Sequence, residues 1–169
     1  MAGTEHQDPV DRLVGQWAEQ RPDLTDQLGA MATFGRLGRL HALSGRAIER
    51  VFEDHGLNIG EFDVLAALRR QGEPFALTPS ALARTLMLSP AGMTNRVDRL
   101  VDRRLVERRA DPDDRRSLFV ALTRAGREVV DAAVSEHVAN EERLLSVLSA
   151  NERSTLDRIV RKLVAPFES

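Results

Sequence analysis

The sequence predicts a mostly helical α+β fold: a winged helix-turn-helix with a two-stranded β-hairpin wing, flanked by long terminal helices. Three observations carry this. Thr78-Pro79 and Ser89-Pro90 mark two helix starts eleven residues apart, each with a hydroxyl N-cap and a proline at the first helical position, where its missing N–H is harmless. The second of these helices reaches about Arg104, and two short helices joined by a tight turn near Met87-Leu88 have the spacing of a helix-turn-helix. Next come Leu105 to Arg109, a turn at Asp111-Pro112-Asp113-Asp114, the pair Arg115-Arg116, and a strand Ser117 to Leu122. A hairpin with arginines at its tip, directly after the second helix, is what a winged helix needs to touch both grooves of a DNA duplex.

The flanking elements follow in order. Asp8-Pro9 caps a first helix whose apolar positions Val10, Leu13, Val14 and Trp17 share a stripe, and Arg21-Pro22-Asp23 ends it. A long helix is predicted from about Leu24 to His55, with Gly56 as its stop. Asn58 and Glu61 form a capping box for the next helix, which is apolar nearly all round through Phe62 to Leu68 and so belongs in the interior. After the wing, Thr123 caps a helix to about Leu148, and Ser149 with Glu152 opens a last one that stops at Pro166. The expected organisation is N-terminal helices at 1–56, the winged helix at 57–123 and C-terminal helices at 124–169. Apolar faces this long cannot all be buried on a domain this small, so a symmetric homodimer is expected.

Composition narrows the function. The net charge is −2, but nine arginines against six acidic residues between Arg84 and Arg116 make that segment basic on an acidic body. Arginine occurs 23 times and lysine once, at Lys162. This reads first as the codon bias of a GC-rich genome, although arginine is also the better phosphate and guanine ligand. The absence of cysteine removes disulfides, thiolate zinc sites and thiol redox sensing. The four scattered histidines lack ligand spacing, so no metal is expected. No apolar run reaches membrane-spanning length and no signal peptide opens the chain, which makes a cytoplasmic location the default. No nucleophile elbow, phosphate loop or metal-ligand set points to an enzyme.

The start of the second helix of the pair offers Ser89, Ala91, Gly92, Thr94, Asn95 and Arg99 to a major groove, and Arg96 is a further DNA-binding candidate, by direct contact or by positioning the helix. Ser89, Thr94 and Asn95 can hydrogen-bond base edges or phosphates, and Ala91 and Gly92 permit close approach. Val97, Leu100 and Val101 read as core. The expected partner is double-stranded DNA with a pseudo-palindromic site. A winged helix used purely for protein interaction is the alternative from another class, disfavoured by the arginine-bearing wing.

The run Leu82-Ala83, Leu88-Ser89, Thr94 to Leu100, Leu105 to Arg108, Asp111-Pro112-x-Asp114-Arg115-Arg116 and Val120-x-Leu122-Thr123-x-x-Gly126 resembles the MarR family of transcriptional regulators. The resemblance implies that Arg115 enters the minor groove, with Arg108 and Arg116 on phosphates. Within the family, the extra N-terminal helix with Trp17 and Arg21-Pro22-Asp23 is similar to the urate-responsive, HucR- and PecS-like branch. That likeness implies a ligand site at Trp17, Asp63, Arg70 and Arg96, no cofactor, and an effector such as urate or xanthine. A phenolic or other aromatic acid is the alternative small anionic ligand. Asp63 and Arg70, seven residues apart, share a helix face about 10 Å apart, and on a helix expected to be buried each charge needs a partner. If Asp63 holds Arg96 in the absence of ligand, an anion competing for that tie frees the recognition helix to shift.

Overall fold

The computed structural model describes residues 7–110 and 118–168. The expected wing tip, with Asp111 to Asp114, Arg115 and Arg116, lies outside the described residues. The chain separates into two compact units that meet in sequence between Ala47 and Ile48.

In the first unit, helix α1 (Pro9–Gln20) starts at a capping box in which the Asp8 carboxylate accepts from Val10 and Asp11 and Asp11 accepts from Asp8. A 3-10 segment, Pro22–Gln27, follows, and helix α2 (Leu28–Asp54) begins only after it. The long helix expected from Leu24 is therefore four residues shorter at its start. Pro22 and the Thr25 hydroxyl, which donates to the Pro22 carbonyl at 2.8 Å, keep these residues in a tight turn. Val10 and Leu28 are buried here, and Arg36 of α2 pairs with both Asp8 (2.8 Å) and Asp11.

The second unit takes in the end of α2, which Gly56 stops at a φ of 67° as Leu57 N–H donates to Phe52 O at 2.8 Å. Helix α3 (Ile59–Arg70) has the expected Asn58/Glu61 capping box and buries nearly everything from Gly60 to Leu68. Strand β1 (Ala76–Leu77), helix α4 (Pro79–Thr85, capped by Thr78) and helix α5 (Pro90–Asp102, capped by Ser89) lead to strands β2 (Val106–Ala110) and β3 (Leu118–Leu122). Helices α6 (Arg124–Leu144) and α7 (Ala150–Val164) close the chain, each with its expected cap, Thr123 and Ser149. Helix α6 ends four residues before the expected Leu148, because Leu145–Val147 tighten into a 3-10 turn.

The sheet has three antiparallel strands in the order β1-β3-β2, not the two expected. Arg108 faces Val120 across β2–β3, and Leu77 faces Val120 on the other side. Two residues are too few to show a period-2 pattern, so β1 leaves no trace in the sequence. Its pairing is extended by Phe75, whose carbonyl accepts from Leu122 N–H at 3.0 Å. The core gathers Phe52, Val64, Leu65, Leu68, Leu82, Met93, Val97, Leu100, Val106, Val120 and Val130, so α3 lies at its centre. Gly126 is fixed by contact: a Cβ there would sit 1.9 Å from the Leu105 carbonyl oxygen. That close approach explains the Leu122-Thr123-x-x-Gly126 pattern, since Thr123 caps α6 and also donates to the Arg104 carbonyl at 2.8 Å.

Candidate functional site

Helix α5 divides its residues as a recognition helix must. Met93, Val97 and Leu100 are buried and Val101 packs against them, while Ser89, Ala91, Thr94, Asn95 and Arg99 are exposed and Gly92 is half-buried. The Ser89 hydroxyl is engaged in accepting from Gly92 N–H at 3.2 Å, and the Thr94 hydroxyl donates to the Pro90 carbonyl at 3.0 Å. Asn95 is thus the exposed residue of the first two turns with a polar head not committed to a cap. On β2, Arg108 is tied to Asp98 of α5, so the base of the wing and the recognition helix are clamped to one another.

Arg96, expected among the DNA-binding residues, does not join its exposed neighbours on the outer face. Its guanidinium turns toward α3, donating to the Gly60 carbonyl at 3.4 Å and lying 3.9 Å from the Asp63 carboxylate. Gly60 makes this seat possible, because a Cβ there would fall 2.6 Å from Arg96 Cζ. Burial pushes the Asp63 carboxyl up from its ordinary value, against the pull of Arg96 and then Arg70. Asp63 and Arg96, expected as a pair, are brought together. Arg70 is exposed at the end of α3 and Asp63 is half-exposed, which corrects the expectation of two buried charges; Asp63 is the one of the two that meets α5, through Arg96.

Arg70 borders a groove of about 420 Å³ between α3 and α6, together with Phe62, Ala66, Arg69, Asp131, Val134 and His137. Arg69 pairs with Asp131 at 2.6 Å, and the His137 ring stands edge-on to Phe62 at 5.6 Å between centroids. The groove joins two guanidinium groups to two ring faces, a lining suited to a flat anion. Trp17 lies in the first unit, 45% exposed, beside a groove of about 260 Å³ lined by Val10, Leu13, Val14, Met31, Gly35 and Arg39. It is not a core residue of that unit.

Sequence reasoning missed Glu61 as more than a cap. Its side chain is buried, and its carboxylate accepts from Arg103 at 3.0 Å and lies 3.5 Å from Arg99 Nε. The signal was present: Arg96, Arg99 and Arg103 stand at i, i+3 and i+7, one stripe of a helix. Among the described residues no cluster of acidic and histidine side chains could hold a metal, and no helix is long and apolar enough to cross a membrane.

A helix pair with a buried inner face and an exposed polar outer face, followed by a clamped β-hairpin, defines a winged-helix DNA-binding protein. Residues 55–117 match the MarR family. PecS, an HTH-type transcriptional regulator of Dickeya dadantii, is 38% identical over 159 residues, covering 92% of this chain and 95% of PecS. The transcriptional repressor MprA of Escherichia coli is 32% identical over 119 residues, 70% of this chain and 67% of MprA. Among solved structures, YusO of Bacillus subtilis superposes with a TM-score of 0.66 at 26% identity over 83% of this chain and 96% of YusO. A MarR variant of E. coli complexed with operator DNA superposes with a TM-score of 0.65 at 25% identity over 88% and 97%. The chain belongs to the MarR family of DNA-binding transcriptional regulators.

Proposed function

We propose that the protein is a homodimeric repressor that binds a pseudo-palindromic operator and is released from it by urate or a related purine such as xanthine. The observation that carries the effector reading is the Asp63–Arg96 approach, 3.9 Å across the α3–α5 boundary. It is long for an ion pair and half-exposed at Asp63, so it is a weak tie that an anion drawn to Arg96 can displace. An anion seated on Arg96 repels Asp63, and α5 then loses this one of its ties to α3. This is a differential contact between two states of the recognition helix, which any ligand-driven release requires. Asn95, Thr94, Ala91, Ser89 and Arg99 read the major groove, with Arg108, Arg115 and Arg116 on the wing. Two recognition helices about one helical turn apart would read the two halves of the operator.

A second effector reading, a phenolic or other aromatic acid, draws on the groove between α3 and α6, whose arginines and rings fit any small planar anion. Anisotropy of a labelled duplex from upstream of the protein's own gene separates the readings. Release by urate with salicylate inert supports the purine, and the converse supports the aromatic acid. Binding that no anion reverses removes the effector site and leaves the regulator.

A further inference from the structure

Glu61 does something a helix cap does not require. Two other capping boxes among the described residues place the equivalent carboxylate at the N3 position, and at α7 that residue, Glu152, performs the task at the surface. Glu61 is instead 5% exposed. It accepts from Asn58 N–H at 3.2 Å, as a cap should. It also meets two guanidinium groups of the recognition helix, Arg103 at 3.0 Å and Arg99 at 3.5 Å. A buried carboxylate is strongly disfavoured unless paired, and of its two partners Arg103 is the one at hydrogen-bond distance, with Arg99 the looser. Arg103 caps the C-terminal end of α5, and Arg99 lies one turn closer to the residues offered to the groove. Arg99 approaches Glu61 through its Nε, and its side chain is 56% exposed.

We infer that Glu61 is a positioning residue for DNA recognition, fixing the orientation of α5 through Arg103 and setting how far Arg99 reaches toward the DNA. Asp98 does the corresponding work from the wing side through Arg108, so the helix is held at two faces. Operator discrimination depends on base edges meeting Asn95 and its neighbours in one register, and a helix free to roll loses that register first. Its non-specific attraction to phosphate survives, and grows as the released arginines find phosphates of their own. The inference rests on the DNA-binding reading and not on the identity of the effector.

The test begins with a duplex enriched by the wild-type protein from a random pool, with a scrambled duplex of equal length as control. Glu61→Gln keeps an acceptor for the Asn58 N–H and removes the charge. Its preference for the enriched duplex should fall roughly tenfold, about the discrimination carried by one base pair. On the scrambled duplex the salt slope should steepen by about 1 for each arginine transferred to a phosphate. Arg103→Gln, at an exposed helix end, should lose preference in the same direction, and it carries the test if the first variant does not fold. The double variant should discriminate no worse than the poorer single one. Unchanged preference, equal weakening on both duplexes, loss in one single variant alone, or additive losses would each overturn the inference. A wild type that enriches no sequence would remove the DNA reading and this inference with it, before any variant is compared.

Discussion

Gly60 and Glu61 are adjacent in sequence and hold different parts of the same recognition helix. An alanine at position 60 suits a helix better than glycine by about 0.5–1 kcal/mol, yet its Cβ would displace the Arg96 guanidinium from the Gly60 carbonyl. Gly60→Ala is therefore expected to melt at an unchanged or slightly higher temperature while responding more weakly to effector. Calorimetry and the anisotropy assay check this together, and full urate release in the variant would exclude Arg96 as the latch. Asp8 supports a pH prediction in the first unit. The Arg36 hydrogen bond, followed by the Asp11 backbone N–H, holds its carboxyl down to about 2. A depressed carboxyl stabilises the fold above its unfolded pKa, and that contribution is lost as pH falls through the folded value. Trp17, the one tryptophan, lies on the helix that Asp8 caps. Its emission should change between roughly pH 4 and 2, as Asp8 gains its proton. Asp8→Asn, which keeps the cap and removes the charge, should lack that step; an identical titration would refute the assignment. Residues such as Asp8, Asn58 and Ser149 were legible in the sequence because a cap is local. The cross-helix role of Glu61 was not, because its arginines lie 38 and 42 positions away and meet it only after packing.

At the scale of elements, the predicted helices and the wing strands are present because hydrophobic period and capping chemistry agree at each of them. The departures occur where one signal is missing. Strand β1 is two residues long and owes its place to β3, and the stretch Pro22–Gln27 satisfies helical composition while a proline and a threonine hold it in a tighter turn. The junction of β3 with α6 is the most constrained of these connections. Leu105 O lies 1.9 Å from where a Gly126 Cβ would stand, and this contact is with backbone, which cannot swing aside as a side-chain tip can. Gly126→Ala should therefore separate α6 from the start of β2 and cost about 1–3 kcal/mol or more. Thermal melting checks the loss. A variant as stable as the parent would mean that α6 shifts freely, and the Thr123 link to Arg104 would then have no structural weight.

For the whole molecule, helix α7 sets the remaining problem. Ile159, Val160, Leu163 and Val164 form a single stripe, each 40–44% exposed, and Phe167 beyond them is 85% exposed. In the first unit, Met31, Phe34, Leu40 and Leu43 of α2 are likewise exposed. Fully burying one such side chain is worth about 1.5–3 kcal/mol, so leaving the α7 stripe in water is a standing cost that a second copy could remove. A two-fold arrangement has a further consequence for DNA. In the proposed dimer each monomer would present one recognition helix, and joining two would make the second half-site contact intramolecular, strengthening binding by roughly 100-fold or more. Val160→Glu with Leu163→Glu places two like charges in the stripe without touching α3, α5 or the sheet. Sedimentation should then give the monomer mass, and affinity for a full operator should fall toward that of a half-site duplex, while the monomer keeps its helical signal. A dimeric mass with full operator affinity would show that the α7 stripe is not the dimer contact.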